Sequence, residues 1–135
     1  MKNRDLIEQA AQLLKPHRTP AGRLFGDVGA MVVSATGKLY PGVCVDTPSW
    51  GLCAERSALA TMVTHGEYRI SKVVAVWRND ENGQLHVLPP CGTCREFMRQ
   101  LDDANLDAEI ILDTDRTATL RDLIPEHRWP KPLEL

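Results

Sequence analysis

The sequence has no run of basic residues, and aromatic residues make up only 5% of its 135 positions. Its formal net charge is −2 at pH 7. Proteins that bind polynucleotides present a basic surface, and those that bind single strands add aromatic side chains on which the bases stack. The composition therefore predicts no nucleic-acid partner.

Long apolar segments are missing as well. No uncharged apolar stretch approaches the roughly 20 residues of a membrane-spanning helix. Residues 1–5 are polar and lead into an amphipathic segment, unlike a signal peptide. Four cysteines without a secretory signal suit a reducing compartment and metal ligation better than disulfide bonds. We therefore expect a cytoplasmic protein without a membrane partner.

The sequence does contain enough apolar material for one folded domain. Hydrophobic residues make up 43% of the chain and charged residues 25%, which is ordinary for a globular protein. A chain of 135 residues is long enough to bury a core and short enough for one domain. We predict a single domain that spans residues 1–135.

Hydrophobic periodicity, prolines and glycines predict the element order αββαβ(β)αβα. The predicted helices are 4–14, 53–65, 92–102 and 119–124. The predicted strands are 28–35, 38–45, 71–77 and 108–113, with 84–88 as either strand or loop. This order is typical of a sheet with helices packed against it, an α/β or α+β sandwich.

Two short segments bring together residues that can bind and use a metal ion, Cys53-Ala54-Glu55 and Pro90-Cys91-Gly92-Thr93-Cys94. Each segment opens a predicted helix. The first turn of a helix has unpaired N–H groups and the positive end of the dipole, and both favour thiolate over thiol. The two cysteines of the second segment are three positions apart, so they share a helix face and can bind one ion.

Three thiols without an obvious fourth ligand indicate a catalytic zinc site. Cys53, Cys91 and Cys94 would leave one tetrahedral position for water, whereas structural zinc usually has four protein ligands. Glu55 lies two residues beyond Cys53, close enough to reach that water without binding the metal. The pattern predicts Zn²⁺ as cofactor and hydrolysis as the reaction type.

Cys-Ala-Glu followed by Pro-Cys-x-x-Cys resembles the zinc signature of the cytidine deaminase superfamily in its all-cysteine branch. Three further segments are similar to motifs of that family: Phe25-Gly26-Asp27-Val28-Gly29-Ala30, Gly37-Lys38-Leu39-Tyr40-Pro41-Gly42-Val43 and Leu123-Ile124-Pro125. The first of these has one residue more between Phe and Val than the family motif. The short loop between Cys44 and Cys53 is closer to blasticidin S deaminase. The resemblance implies an α/β three-layer sandwich, with a mixed central sheet and helices on both faces.

The resemblance also assigns roles to residues. It implies hydrolytic deamination of a small-molecule substrate, with Glu55 as the catalytic proton carrier and Arg56 donating hydrogen bonds to the thiolates. Three thiolates on Zn²⁺ leave a net charge of −1, so a nearby cation is physically reasonable. It further implies a homo-oligomer, most simply a tetramer. The substrate-binding residues that it implies are Phe25, Cys44, Asp46, Ala54 and Trp129.

One position pair departs from the family pattern. Cytidine deaminases have Asn-x-Glu in the strand after Gly-Val, and those side chains hold the ribose hydroxyls, whereas this chain has Cys44 and Asp46. A thiol is a weak hydrogen-bonding group, and Asp is one methylene shorter than Glu. We therefore expect either a cytosine nucleoside or another substrate, such as a modified nucleoside, a blasticidin S-type compound or a different amino-heterocycle.

Two readings from other functional classes stay open at this point. The Cys91-x-x-Cys94 pair at a helix start is also the pattern of a dithiol oxidoreductase. A non-catalytic module stabilised by zinc would need a fourth ligand, for which Cys44 is the remaining cysteine. The number of protein ligands and the presence of a disulfide distinguish these readings from a deaminase.

Overall fold

The computed structural model describes residues 1–135. The α-helices are α1 (Asn3–Gln12), α2 (Ala54–Thr64), α3 (Gly92–Leu101) and α4 (Leu120–Leu123), with a 3-10 helix at Asp103–Asp107. The first four strands are β1 (His17–Arg18), β2 (Leu24–Ser34), β3 (Leu39–Asp46) and β4 (Gly51–Leu52). The remaining strands are β5 (Ile70–Arg78), β6 (Leu85–Val87), β7 (Glu109–Ile111) and β8 (Thr117–Thr119).

All eight strands belong to one mixed sheet. Its order is β4-β3-β2-β5-β7-β8, with β1 paired to β2 and β6 paired to β5. Only β5 and β7 run parallel; every other pair is antiparallel. The parallel pair is joined by a crossover that contains α3, as parallel strands require.

Both faces of the central strands are buried. Met31 and Val32 on β2 are neighbours in sequence, yet they belong to different apolar clusters, and Val73 and Val74 on β5 divide in the same way. Successive side chains of a strand point to opposite faces, so each strand must supply apolar residues to both. This explains why β2 and β5 read as nearly continuous apolar runs.

Helices cover the two faces and complete three layers. Helix α1 packs Leu6, Ile7 and Ala10 on one face, whereas α2 and α3 pack on the other, with Leu59 and Met98 fully buried there. The predicted α/β three-layer sandwich with helices on both faces is therefore confirmed. None of these helices has the length and apolar character that crossing a membrane would require.

The elements that the sequence did not predict are short. Strands β1, β4 and β8 have only two or three residues, too few to show an alternating pattern. Strand β2 also begins earlier than predicted, at Leu24. The last helix begins at Leu120, because the Thr119 hydroxyl accepts a hydrogen bond from the backbone N–H of Asp122 (3.3 Å) and caps it.

Helix α2 lies so close to the sheet that only glycine fits opposite it. A Cβ atom at Gly42 on β3 would lie 2.4 Å from the backbone nitrogen of Ala58 and 2.5 Å from the carbonyl oxygen of Ala54. Around this contact, buried Ala30 and Ala75 add little bulk. The small side chains therefore set the height of α2, and of the residues at its start, above the sheet.

Gly42→Ala is expected to lower the free energy of unfolding by about 3 kcal/mol, because the added methyl meets backbone atoms that cannot move independently. Gly92→Ala is the matched control, since a Cβ there meets nothing within 4 Å and alanine suits a helix. Urea unfolding of both variants measures the difference. Equal stabilities would show that the contact with α2 does not limit residue 42.

Candidate metal centre and active site

The three predicted thiols lie at the starts of two helices. Cys53 directly precedes α2, Cys91 directly precedes α3, and Cys94 lies in the first turn of α3. Both capping cysteines have extended backbone, and neither side chain caps its own helix. Their sulfurs are therefore free to turn toward each other rather than toward the helix ends.

The sulfur geometry fits a zinc ion. The three Sγ atoms all lie within 4.8 Å of one another, and those of Cys53 and Cys91 are 3.5 Å apart. A tetrahedral ion with Zn–S bonds of about 2.3 Å holds its sulfurs about 3.8 Å apart, so only small adjustments are needed. No histidine or carboxylate joins this cluster. Three protein ligands leave the fourth position open.

Cys44 is not part of the cluster. It is buried, and its thiol donates a hydrogen bond to Oδ1 of Asp27 at 2.6 Å. All four cysteines are free, so Cys91 and Cys94 do not form a disulfide. A structural zinc site that uses Cys44 as fourth ligand therefore finds no support in the fold.

The pKa values of the Cys91 and Cys94 thiols are shifted in opposite directions by their surroundings. Burial, followed by the charge of Glu55, raises the pKa of Cys94. Burial also acts against ionisation of Cys91, but hydrogen bonds, first from the backbone N–H of Cys94, outweigh it and lower the pKa of Cys91. The helix start thus favours the thiolate at the exposed cysteine, whereas the buried one needs a metal ion to replace its proton.

Arg56 supplies the positive charge that three thiolates need. Its side chain is only 7% exposed, and one Nη2 atom donates to the carbonyl of Gly51 (3.0 Å) and to Sγ of Cys53 (3.5 Å). Burial works against this charge, but hydrogen bonds with Cys53 and Cys94 outweigh it and raise the pKa of Arg56. The indole of Trp50 stacks on its guanidinium, 5.1 Å from ring centroid to Cζ.

Glu55 is a buried carboxylate without a partner from another residue. It lies in the first turn of α2 and is 5% exposed, and burial is the main reason that its pKa is raised. A buried carboxyl group that no neighbouring donor satisfies is costly to maintain, so such groups often have a chemical role. Here the side chain borders the same cavity as two of the thiols.

This cavity has a volume of about 220 Å³. Cys53, Cys91, Ala54 and Glu55 line one part of it, and Leu88 contributes apolar surface. Typical ligand pockets have roughly 300–1,000 Å³. The cavity of one chain is therefore small, with room for a ligand built on a single heterocyclic base.

Comparison with known proteins agrees with this geometry. The family model that describes the cytidine and deoxycytidylate deaminase zinc-binding region matches residues 1–108. The probable cytidine deaminase of Dictyostelium discoideum is 35% identical over 78 residues, 56% of this chain and only 50% of that protein. The cytidine deaminase of Halalkalibacterium halodurans is 30% identical over 107 residues, 78% of this chain and 76% of that protein.

The crystal structure of cytidine deaminase from Burkholderia pseudomallei has the same fold. It superimposes with a TM-score of 0.72 at 28% sequence identity, and the match covers 93% of this chain and 98% of that one. The chain belongs to the cytidine and deoxycytidylate deaminase family. Its cofactor is zinc, since the family's zinc-binding region matches and the thiol cluster fits the ion.

Two of the predicted substrate-binding residues lie outside the cavity of the single chain. Phe25 does not line the cavity; its ring lies edge-on to that of His17, with centroids 6.3 Å apart. Trp129 is 94% exposed in the C-terminal tail and does not line the cavity either. The pairing of β2 with β3 is irregular between Phe25 and Gly29, where this chain has its additional residue.

Two residues near the site were not predicted from the sequence. Asp27 lies two residues beyond Phe25 and lines the cavity beside Cys44 and Asp46. Arg95 donates from Nε to the carbonyl of Pro90 and from Nη1 to that of Leu123, both at 2.8 Å. Only the additional residue between Phe and Val hinted at Asp27, and no sequence pattern marked Arg95.

Purified protein should contain one zinc ion per chain. Cys53→Ala, Cys91→Ala and Cys94→Ala should each lose it, because two thiols cannot hold the ion against a chelator. Cys44→Ala is the matched control and should retain zinc, since Cys44 contacts Asp27 instead. Metal analysis after dialysis against a chelator measures the content. Loss of zinc from Cys44→Ala would contradict the ligand assignment.

Proposed function

We propose that this protein is a zinc-dependent hydrolytic deaminase that acts on a cytosine nucleoside or a related small amino-heterocycle and releases ammonia. The observation that carries the proposal is the position of Glu55. It is buried, has no hydrogen-bond partner from another residue, and borders the cavity that is lined by two thiols of the three-thiol cluster. The family membership and the names of the two curated relatives support it.

In this proposal, Glu55 is the catalytic proton carrier. Zinc, when bound, supplies a Lewis acid that lowers the pKa of a water molecule. The Glu55 carboxylate would accept a proton from that water and pass it to the ring nitrogen. Oxygen adds at the ring carbon that bears the amine. Glu55 would then take the proton of the added hydroxyl and pass it to the amine, so that the C–N bond breaks, ammonia leaves and a carbonyl remains.

The other residues of the cavity position the base. Ala54, which precedes Glu55, and Cys91, at the start of α3, both line the cavity. We assign their backbone groups to the edge of the base. Arg56 is assigned to the thiolates, where its charge offsets the excess negative charge of the metal centre. Phe25 and Trp129 have no place in the cavity of one chain, so a role for either requires a second subunit.

We also propose that the protein is a homo-oligomer, most simply a tetramer, in the cytoplasm. A second and larger surface cavity of about 800 Å³ lies between α2 and α3. Its lining includes Leu52, Phe97 and the 61% exposed Trp50, but not Glu55, so it is better suited to a neighbouring subunit than to catalysis. Four free cysteines are consistent with a reducing compartment.

Glu55→Gln should reduce deamination by about 10³-fold or more while zinc remains bound, because an amide cannot carry protons. Glu8→Gln, an exposed site on α1, is the matched control and should leave the rate unchanged. Ammonia release from cytidine and from a panel of amino-pyrimidines and amino-purines, with zinc content measured in parallel, tests this. A Glu55→Gln enzyme with a near-normal rate would exclude the mechanism.

Sedimentation should show a species of four chains, and Trp50→Glu should shift it toward smaller species, since the charge would be buried at the proposed interface. Tyr68→Glu provides a control at a comparably exposed aromatic residue outside that cavity. A stable monomer with full activity at low concentration would argue against the oligomer.

A further inference from the structure

The cavity has a second polar region, away from the metal ligands. Apart from Glu55 and the two thiols, its only polar side chains are Asp27, Cys44 and Asp46. If the amine-bearing carbon of a base faces Glu55, then the polar groups that one chain offers to a substituent on that base are found only here. These three side chains therefore decide what the substituent must be.

Asp27 reaches this region because of an irregularity in β2. The register with β3 shifts between Phe25 and Gly29, and Gly26 has φ +76°, a conformation that L side chains rarely adopt. A Cβ at Gly26 would also lie 3.1 Å from the carbonyl oxygen of Lys15. Such bulges re-aim the neighbouring side chains, and here the result is that both Asp27 and Val28 line the cavity.

Cys44 holds the Asp27 carboxylate in place. The thiol is 6% exposed and donates to Oδ1 of Asp27 at 2.6 Å. Burial, followed by this hydrogen bond, raises the pKa of Cys44 to about 11, so the thiol keeps its proton at neutral pH. A carboxylate has about four acceptor positions, and one thiol uses only one of them. The others are available to a ligand.

The charge of the cavity excludes one class of ligand. Asp27, Asp46 and Glu55 supply three carboxyl groups, and no lysine, arginine or histidine lines the cavity. Arg56, next to Glu55 in the sequence, donates to Gly51 and Cys53 and does not line the cavity, so the lining provides no cation for an anionic ligand. A phosphate would be repelled, whereas hydroxyl groups and above all an ammonium group would find acceptors.

We propose that Asp27, oriented by Cys44 and assisted by Asp46, is a specificity-determining residue. It selects substrates in which the substituent of the base donates hydrogen bonds and is either uncharged or cationic. It rejects phosphorylated nucleotides. The inference rests on the proposed deaminase function and adds the substrate class. It assigns to Asp27 a substrate contact that the Asn and Glu of the family would make. Cys44 and Asp46, which stand at those two positions, leave this contact open because a thiol is a weak hydrogen-bonding group and Asp is shorter than Glu.

The test compares cytidine, 5′-amino-5′-deoxycytidine and cytidine 5′-monophosphate as substrates of the zinc-loaded enzyme. We expect kcat/KM to fall in the order amine, cytidine, monophosphate, with at least about a hundredfold between the first and the last. Asp27→Asn should lower kcat/KM for 5′-amino-5′-deoxycytidine about tenfold, mainly by raising KM. The difference in kcat/KM among the three compounds should therefore become smaller. Asp80→Asn, exposed and outside the cavity, is the matched control.

Two variants of Cys44 test whether its thiol orients the Asp27 carboxylate. Cys44→Ser keeps a donor for Asp27 and should retain most of the preference for the amine, whereas Cys44→Val removes the donor and should reduce that preference. These two Cys44 variants also test the proposal if the Asp27→Asn protein does not fold. Equal turnover of cytidine and its monophosphate, or an unchanged amine preference in both Asp27→Asn and Cys44→Val, would overturn the proposal.

A binding measurement separates this proposal from the proposed function. Calorimetry on zinc-loaded Glu55→Gln protein, with the same three compounds, ranks them without turnover. If no compound is deaminated but the ranking holds and depends on Asp27, the deaminase function fails and the specificity assignment stands. If the compounds are deaminated but bind without this ranking, the function stands and the assignment of Asp27 is wrong.

Discussion

The close approach of α2 to β3 is the constraint on which the site depends. The helix start supplies Cys53 and Glu55, and its height above the sheet is set where Gly42 meets the backbone of α2. A larger residue at this point would lift the helix away from the strands that form the cavity wall. Because both partners are backbone, the contact fixes position more firmly than side chains could.

The same arrangement explains why so few residues make the site. The starts of α2 and α3 place three thiols and one carboxyl group together, and the ends of β2 and β3 add the remaining polar groups. Arg56 and Arg95 then fix the surrounding loops through carbonyl groups of Gly51, Pro90 and Leu123. Each arginine is thus bonded to backbone that immediately precedes, or packs near, a metal-binding segment.

The thiols, Glu55 and a sheet with helices packed against it could be predicted from the sequence because they depend on local patterns, whereas the three-layer order was implied by the family resemblance. Spacing along a helix start is local, and apolar runs of strand length reveal strands buried on both faces. The substrate side was less predictable. Whether Phe25 or Asp27 reaches the cavity depends on a pairing irregularity between two strands, which a single strand's sequence does not encode. Likewise, Arg95 matters only because the chain returns to place Leu123 beside it.

The separation of the ligands along the chain also has a consequence for how the protein matures. Cys53 and Cys91 are 38 residues apart, and β5 and β6 lie between them. A chain that is still being synthesised and has reached only β5 carries one ligand, which cannot hold a metal ion. Contacts of such long sequence separation require closure of a long loop, which costs conformational entropy. The ion can therefore bind with all three thiols only after the segments up to α3 have come together, and its binding free energy then adds to the stability of the fold.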